Sequence, residues 1–155
     1  VFVCTGNVCR SPMAEALFNN LIKQEPSLSE YFAESAGTFA LDGRGATHES
    51  VVAMKDIFGI DITGHRSRSL TRSDVDGAFL VLTMEKHHKD LIISHLPHSS
   101  DRVFTLKEFA FDEPESLDIA DPYALPLETY KDCAVEISEA VKALIKKLKK
   151  NDWVL

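Results

Sequence analysis

Four short runs of β-branched and aromatic residues alternate along the chain with longer stretches whose apolar positions recur at helical spacing. The first run, Val1-Phe2-Val3, feeds a loop spanning Cys4 to Arg10. Beyond it Met13, Ala16, Leu17 and Leu21 fall three or four residues apart, which predicts a helix from Ser11 to about Gln24, ended by Glu25-Pro26-Ser27. A second strand is expected over Tyr31–Ala36, closed by Gly37, then a loop over Phe39–Thr47, where Asp42, Gly43 and Gly45 cluster. Val51, Val52 and Met54 give the segment His48–Phe58 an inward helical face, with Gly59 as its stop. Ile60–Leu70 reads as extended and basic, and Thr71-Arg72-Ser73-Asp74 has the spacing of a capping box that opens a short helix. Ala78–Met84 is a nearly continuous apolar run, as expected of a strand buried on both faces. Glu85–Leu96 predicts a helix and Arg102–Leu106 a fourth strand. Pro126 opens the last helix, where Tyr130, Ala134, Ile137, Val141, Leu144, Ile145 and Leu148 form an apolar stripe and lysines crowd the end that suits the helix dipole.

Alternating strands and helices imply an α/β fold: a four-stranded parallel sheet with right-handed crossovers and helices on both faces, in three α/β/α layers. No repeat, low-complexity tract or linker interrupts the pattern, so residues 1–155 are expected to form one domain, long enough for a core without disulfides. Such sheets bind ligands beyond the carboxyl ends of their strands, where strand order reverses. The Cys4–Arg10 loop stands at such a place.

Composition narrows the class. A net charge of −7, from 24 acidic and 17 basic residues, argues against nucleic acid or an anionic membrane as partner, yet permits a local positive pocket. Three cysteines, an odd count without a signal segment, point to a reducing compartment, and no apolar stretch is long enough to span a membrane. A cytoplasmic monomer is therefore expected. The chain opens on a strand without a methionine, which suggests that native residues precede Val1.

The chemistry concentrates in Cys4-Thr5-Gly6-Asn7-Val8-Cys9-Arg10-Ser11-Pro12. Backbone N–H groups of a tight loop at a helix N-terminus attract anions, and the same field favours the thiolate form of a cysteine, its nucleophilic form. An arginine five intervening residues later adds a planar fork of donors that matches phosphate. Each piece has an ordinary explanation: a core cysteine, a Gly-Asn turn, a Ser-Pro helix start. Their co-occurrence in strand–loop–helix order does not. The loop lacks the Gly-Lys-Ser/Thr of a nucleotide-binding loop. Cys4 and Cys9 have no second Cys or His pair at zinc-ligand spacing, so neither metal nor cofactor is expected. Attack on a phosphorylated side chain also needs an acid for the leaving group, and Asp118 and Asp121, in Asp118-Ile119-Ala120-Asp121-Pro122-Tyr123, are the candidates.

Together with Ser35-Ala36-Gly37-Thr38, the loop and Asp121-Pro122-Tyr123 resemble the low-molecular-weight protein tyrosine phosphatases over nearly the whole chain. The resemblance implies hydrolysis of phosphotyrosine in protein substrates through a phosphocysteine, with inorganic phosphate released. It makes Cys4 the nucleophile and Asp121 the general acid and base. Arg10 and the loop (Thr5, Gly6, Asn7, Val8, Cys9) become the oxyanion cradle. Ser11 would bond the Cys4 sulfur, Asn7 would brace the loop and His65 would support it from behind. Tyr123 and Phe39 would wall the substrate, and Cys9 would pair reversibly with Cys4 under oxidation. Within the family, Cys4-Thr5-Gly6-Asn7, Ser11-Pro12-Met13-Ala14-Glu15, Leu82-Thr83-Met84 and Val103-Phe104-Thr105-Leu106-Lys107-Glu108 resemble the bacterial protein arginine phosphatase branch, which implies phosphoarginine as the alternative substrate. That branch carries threonine before the second cysteine, where tyrosine-specific members usually carry isoleucine. Val8 has the shape of the former without its hydroxyl. Tyr123 and that absent hydroxyl place phosphotyrosine first. Arsenate reductases need two further cysteines, whereas Cys133 alone remains and reads as a buried small residue. Phosphocysteine carriers need neither Arg10 nor Asp121, and a silent binding module would not keep all three catalytic residues.

Overall fold

The structure, a computed structural model, describes residues 1–150. Strands β1 (Phe2–Cys4), β2 (Ser35–Gly37), β3 (Val81–Thr83) and β4 (Val103–Thr105) pair in the order β2-β1-β3-β4, all parallel. Helices α1 (Arg10–Leu21), α2 (His48–Phe58), α3 (Arg72–Gly77), α4 (Lys86–His95), α5 (Leu106–Ala110) and α6 (Leu127–Lys150) cover both faces. The two-residue period of the strands divides the core. Phe2, Cys4 and Leu82 point toward Leu17, Met54, Phe109 and the α6 stripe, whereas Val3, Val81 and Val103 meet Val75 of α3 and Ile92 of α4. The α6 stripe expected from spacing is buried throughout, from Tyr130 to Leu148. Among the described residues no helix is long and apolar enough to cross a membrane.

Three expectations need correction. The second strand covers only Ser35–Gly37, because the Asn19 side chain takes the main-chain groups of Ala33 that a ladder would use. Its Oδ1 accepts from Ala33 N at 2.7 Å, and its Nδ2 donates to Ala33 O at 2.9 Å. The third strand begins at Val81, since Ala78 N–H still donates to Val75 O at the end of α3. Helix α5 was not expected. Thr105 and Glu108 form a reciprocal capping box that turns the chain into a helix directly after β4: Glu108 N donates to Thr105 Oγ1 at 3.0 Å and Thr105 N to Glu108 Oε2 at 2.8 Å.

Strand order reverses between β1 and β3, so the loops leaving their carboxyl ends diverge and leave a crevice. Cys4 ends β1, and Glu85 follows β3 by two residues.

Candidate active site

The cradle begins as an extension of the sheet. Thr38 N–H donates to Cys4 O and Phe39 N–H to Thr5 O, both at 2.9 Å, which pulls the loop onto the segment after β2. Gly37 allows this approach, because a Cβ there would overlap the Thr5 carbonyl oxygen and lie 2.8 Å from Ala40 Cβ. Asn7 then takes φ +57°, a left-handed conformation that asparagine tolerates better than most residues. Its side chain is fully used: Nδ2 donates to Ser11 Oγ (2.8 Å) and Ser35 Oγ (2.9 Å), and Oδ1 accepts from Arg68 N (3.0 Å). His65 Nε2 donates to the Asn7 carbonyl at 2.7 Å. The structure thus places His65 against the backbone of Asn7.

Ser11 Oγ lies 2.9 Å from Cys4 Sγ. With its oxygen already accepting from Asn7, its own hydrogen is free to point at the sulfur and stabilise negative charge there. Cys9 occupies the N-cap of α1 with no side-chain cap, and no acidic residue stands in the first turn, so the helix start keeps its donors for a ligand.

Arg10, the first residue of α1, is buried and already oriented. Its Nη1 donates to Ile119 O at 2.7 Å and pairs with Glu85 Oε1. Nη2 lies 3.6 Å from Asp121 Oδ2, and Nε is buried without a hydrogen-bond partner. With Nη1 committed, the edge left for a ligand is the parallel Nε–H and Nη2–H pair, the bidentate fork that fits two oxygens of a tetrahedral anion. Glu85 Oε2 in turn pairs with His87 Nε2 at 2.8 Å.

The two acid candidates separate clearly. Asp118 Oδ1 accepts from Lys86 N at 2.7 Å at the start of α4, so that carboxylate serves the helix. Asp121 turns to Arg10, its Oδ1 accepting from Tyr123 N at 3.0 Å, with the side chain half exposed. A cavity of about 250 Å³ joins these groups. Cys4, Cys9 and Arg10 lie buried at its base with Val8 beside them, while Phe39, 85% exposed, and Tyr123, 61% exposed, stand at its rim. The residues expected from sequence therefore converge.

Several neighbours were missed. Ser35, Leu41, Arg44, Glu85, His88 and the Ile119 carbonyl all touch the loop or its cavity. Glu85 and His88 could have been sought at the carboxyl end of the strand beside β1. His88 is buried; Glu85 N–H donates to its Nδ1 at 3.1 Å, and the other ring nitrogen meets Thr5 Oγ1 at 2.8 Å. Burial first, then the charges of His87 and Arg10, push its pKa down to about 3, so the ring is neutral with its proton on Nε2.

Burial raises the Cys9 thiol above its usual value; its sulfur lies 3.5 Å from Thr47 Oγ1 and 3.7 Å from Tyr130 OH. Cys133 is buried beside the acid segment, 4.0 Å from Ala120 O, and burial pushes its thiol up to about 12. Among the described residues no group of three or more His, Cys, Asp and Glu side chains could hold a metal ion.

Comparison with known proteins agrees with this architecture. Residues 1–153 match the family described as low molecular weight phosphotyrosine protein phosphatase. A protein-arginine-phosphatase of Geobacillus stearothermophilus is 40% identical over 148 residues, covering 96% of this chain and 94% of that protein. One from Bacillus subtilis is 40% identical over 152 residues, 97% of each. The crystal structure of a low molecular weight protein tyrosine phosphatase from T. tengcongensis superposes with a TM-score of 0.86 at 47% identity, covering 94% of this chain and 96% of that one. The chain belongs to the low molecular weight phosphotyrosine protein phosphatase family.

Proposed function

We propose that this enzyme removes phosphate from arginine side chains of proteins through a phosphocysteine intermediate. The observation that carries the chemistry is the Arg10 guanidinium, held by Glu85 and Ile119 with its Nε unpartnered and its Nη2 3.6 Å from Asp121, lining one cavity with Cys4 and Asp121. The Cys4 thiolate attacks phosphorus, and the loop amides and Arg10 hold the equatorial oxygens as charge builds on them. The P–N bond breaks as the Asp121 carboxyl delivers its proton to the departing guanidino nitrogen. Asp121, now a carboxylate, takes a proton from water, which attacks the phosphocysteine. Inorganic phosphate leaves, and the Cys4 sulfur returns as a thiolate stabilised by Ser11.

Sequence alone places phosphotyrosine first. The two relatives named for arginine, each 40% identical across nearly their full length, support the reverse order. Val8, at the cavity, has the shape of threonine and is one methylene smaller than isoleucine, so its size admits phosphoarginine while its missing hydroxyl stays on the phosphotyrosine side. The Tyr123 and Phe39 rings at the rim favour phosphotyrosine as the second reading. A methylene in such a pocket is worth about 1–3 kcal/mol of discrimination. The test compares kcat/KM on phosphoarginine and phosphotyrosine peptides. Wild type is expected to prefer phosphoarginine, Val8→Thr to keep or extend that preference, and Val8→Ile to shift the ratio about tenfold or more toward phosphotyrosine. A wild-type preference for phosphotyrosine overturns the arginine reading, and turnover of neither peptide overturns the phosphatase mechanism assigned to these residues.

A further inference from the structure

We infer that Arg44 selects acidic residues beside the phosphorylated side chain of the substrate protein. The inference rests on the phosphatase reading but not on which side chain carries the phosphate.

Arg44 lines the same cavity as Cys4, Arg10 and Asp121, on the rim beside Phe39 and Leu41. The main chain that carries it is fixed. Arg44 N–H donates to Ser67 Oγ at 2.9 Å, Ser67 N–H donates to Arg44 O at 2.7 Å, and Gly43 N–H donates to Ser67 O at 2.8 Å. A second serine repeats the tether, Ser69 Oγ donating to Ala40 O at 3.1 Å. The guanidinium, by contrast, is exposed and makes no hydrogen bond or ion pair among the described residues.

That is informative in a chain with 24 acidic residues and a net charge of −7, where partners for a cation are plentiful. Arg10, Arg68, Arg72 and Arg102 each have a carboxylate partner. Asp42, the one acid between Thr38 and Thr47, spends its Oδ1 on Ser69 N–H at 3.0 Å, turned to the backbone. The neighbouring Arg66 adds positive charge on the same side: its Nη1 donates to Thr63 O and His65 O and reaches the vicinity of Gly45. A rigid loop therefore presents an unpaired cation at the mouth of the site, where the residues flanking a bound phosphorylated side chain must pass. Complementarity there calls for a carboxylate on the substrate.

The experiment uses the full chain and matched phosphopeptides whose flanking positions are Asp/Glu, Ala or Lys, prepared in phosphoarginine and phosphotyrosine series. The readout is the ratio of kcat/KM for acidic over basic flanks, which cancels any general change in activity. Wild type should favour acidic flanks about two- to fivefold, the worth of one exposed ion pair, and the preference should shrink in 0.5 M salt. Arg44→Ala should bring the ratio close to one, Arg44→Lys should retain most of it, and Arg44→Glu should invert it. A wild-type ratio near one, or a ratio that Arg44→Glu leaves unchanged, overturns the inference while the enzyme still turns over both peptides. Loss of turnover on every peptide by wild type would instead strike the phosphatase reading on which it rests.

Discussion

Asn7 and Arg10 show how much of the site is settled before any substrate arrives. Each has its hydrogen-bonding groups assigned to fixed partners, and what is left over on Arg10 is one edge with the geometry of an anion clamp. Asp121 is less tightly held, half exposed and fixed by one hydrogen bond from the Tyr123 N–H and a long ion pair. Asp121→Asn is expected to lower kcat about 10²- to 10³-fold for substrates with poor leaving groups and far less for activated aryl phosphates. A plot of kcat against leaving-group pKa checks this, with Asp118→Asn as the comparison; equal losses for both substrate types would move the acid role elsewhere. The meeting of Cys4 and Arg10 could be anticipated from the spacing of their loop, whereas Asp121 was separated from Asp118 only by the family resemblance, and the structure places it beside Arg10. Glu85, His88 and Ser35 were not legible in the sequence. They reach the loop through side-chain contacts across 75, 83 and 28 residues of chain, which no local pattern encodes.

At the level of elements, the loop is tied to the segment that leaves β2. Main-chain bonds from Thr38 and Phe39 hold Cys4 and Thr5, and Gly37 leaves room for them. Gly37→Ala should therefore cost about 1–3 kcal/mol through overpacking against backbone. It should lower kcat more than that loss of stability explains, because the strain falls on the cradle. Urea denaturation alongside aryl phosphate turnover checks it; a variant matching wild type in both would show that the loop yields freely. The order and type of most elements followed from periodicity. The late start of β3 came from a main-chain bond at the end of α3, and the other two errors came where a side chain intercepted the main chain: Asn19 at Ala33 cut β2 short, and the Thr105–Glu108 box started α5. Both are pairings of particular polar groups, invisible to a pattern of apolar positions.

For the whole molecule, His88 links the site to stability. Its folded pKa of about 3 lies below the value near 6.5 expected in the unfolded chain, so the unfolded state takes up the proton first. The contribution is complete above pH 6.5 and is lost as pH falls from there toward 3, at a limiting slope of about 1.4 kcal/mol per unit. The depressed carboxylates Asp61, Asp74 and Asp76 lose theirs only below about pH 4, and Glu15, raised by burial, acts in the opposite sense. Urea midpoints between pH 6 and 4 should fall steeply for wild type and less so for His88→Gln; equal slopes would remove His88 as the cause. Arg10 carries a wider consequence. A guanidinium held at one end by Glu85 and Ile119 is aimed by the protein itself, so the anion socket is assembled without help from the substrate. Sulfate, arsenate or the enzyme's own product meets the same ready-made socket as substrate does, so the socket alone does not tell them apart, and discrimination falls to Val8 and to whatever the protein cargo touches at the rim.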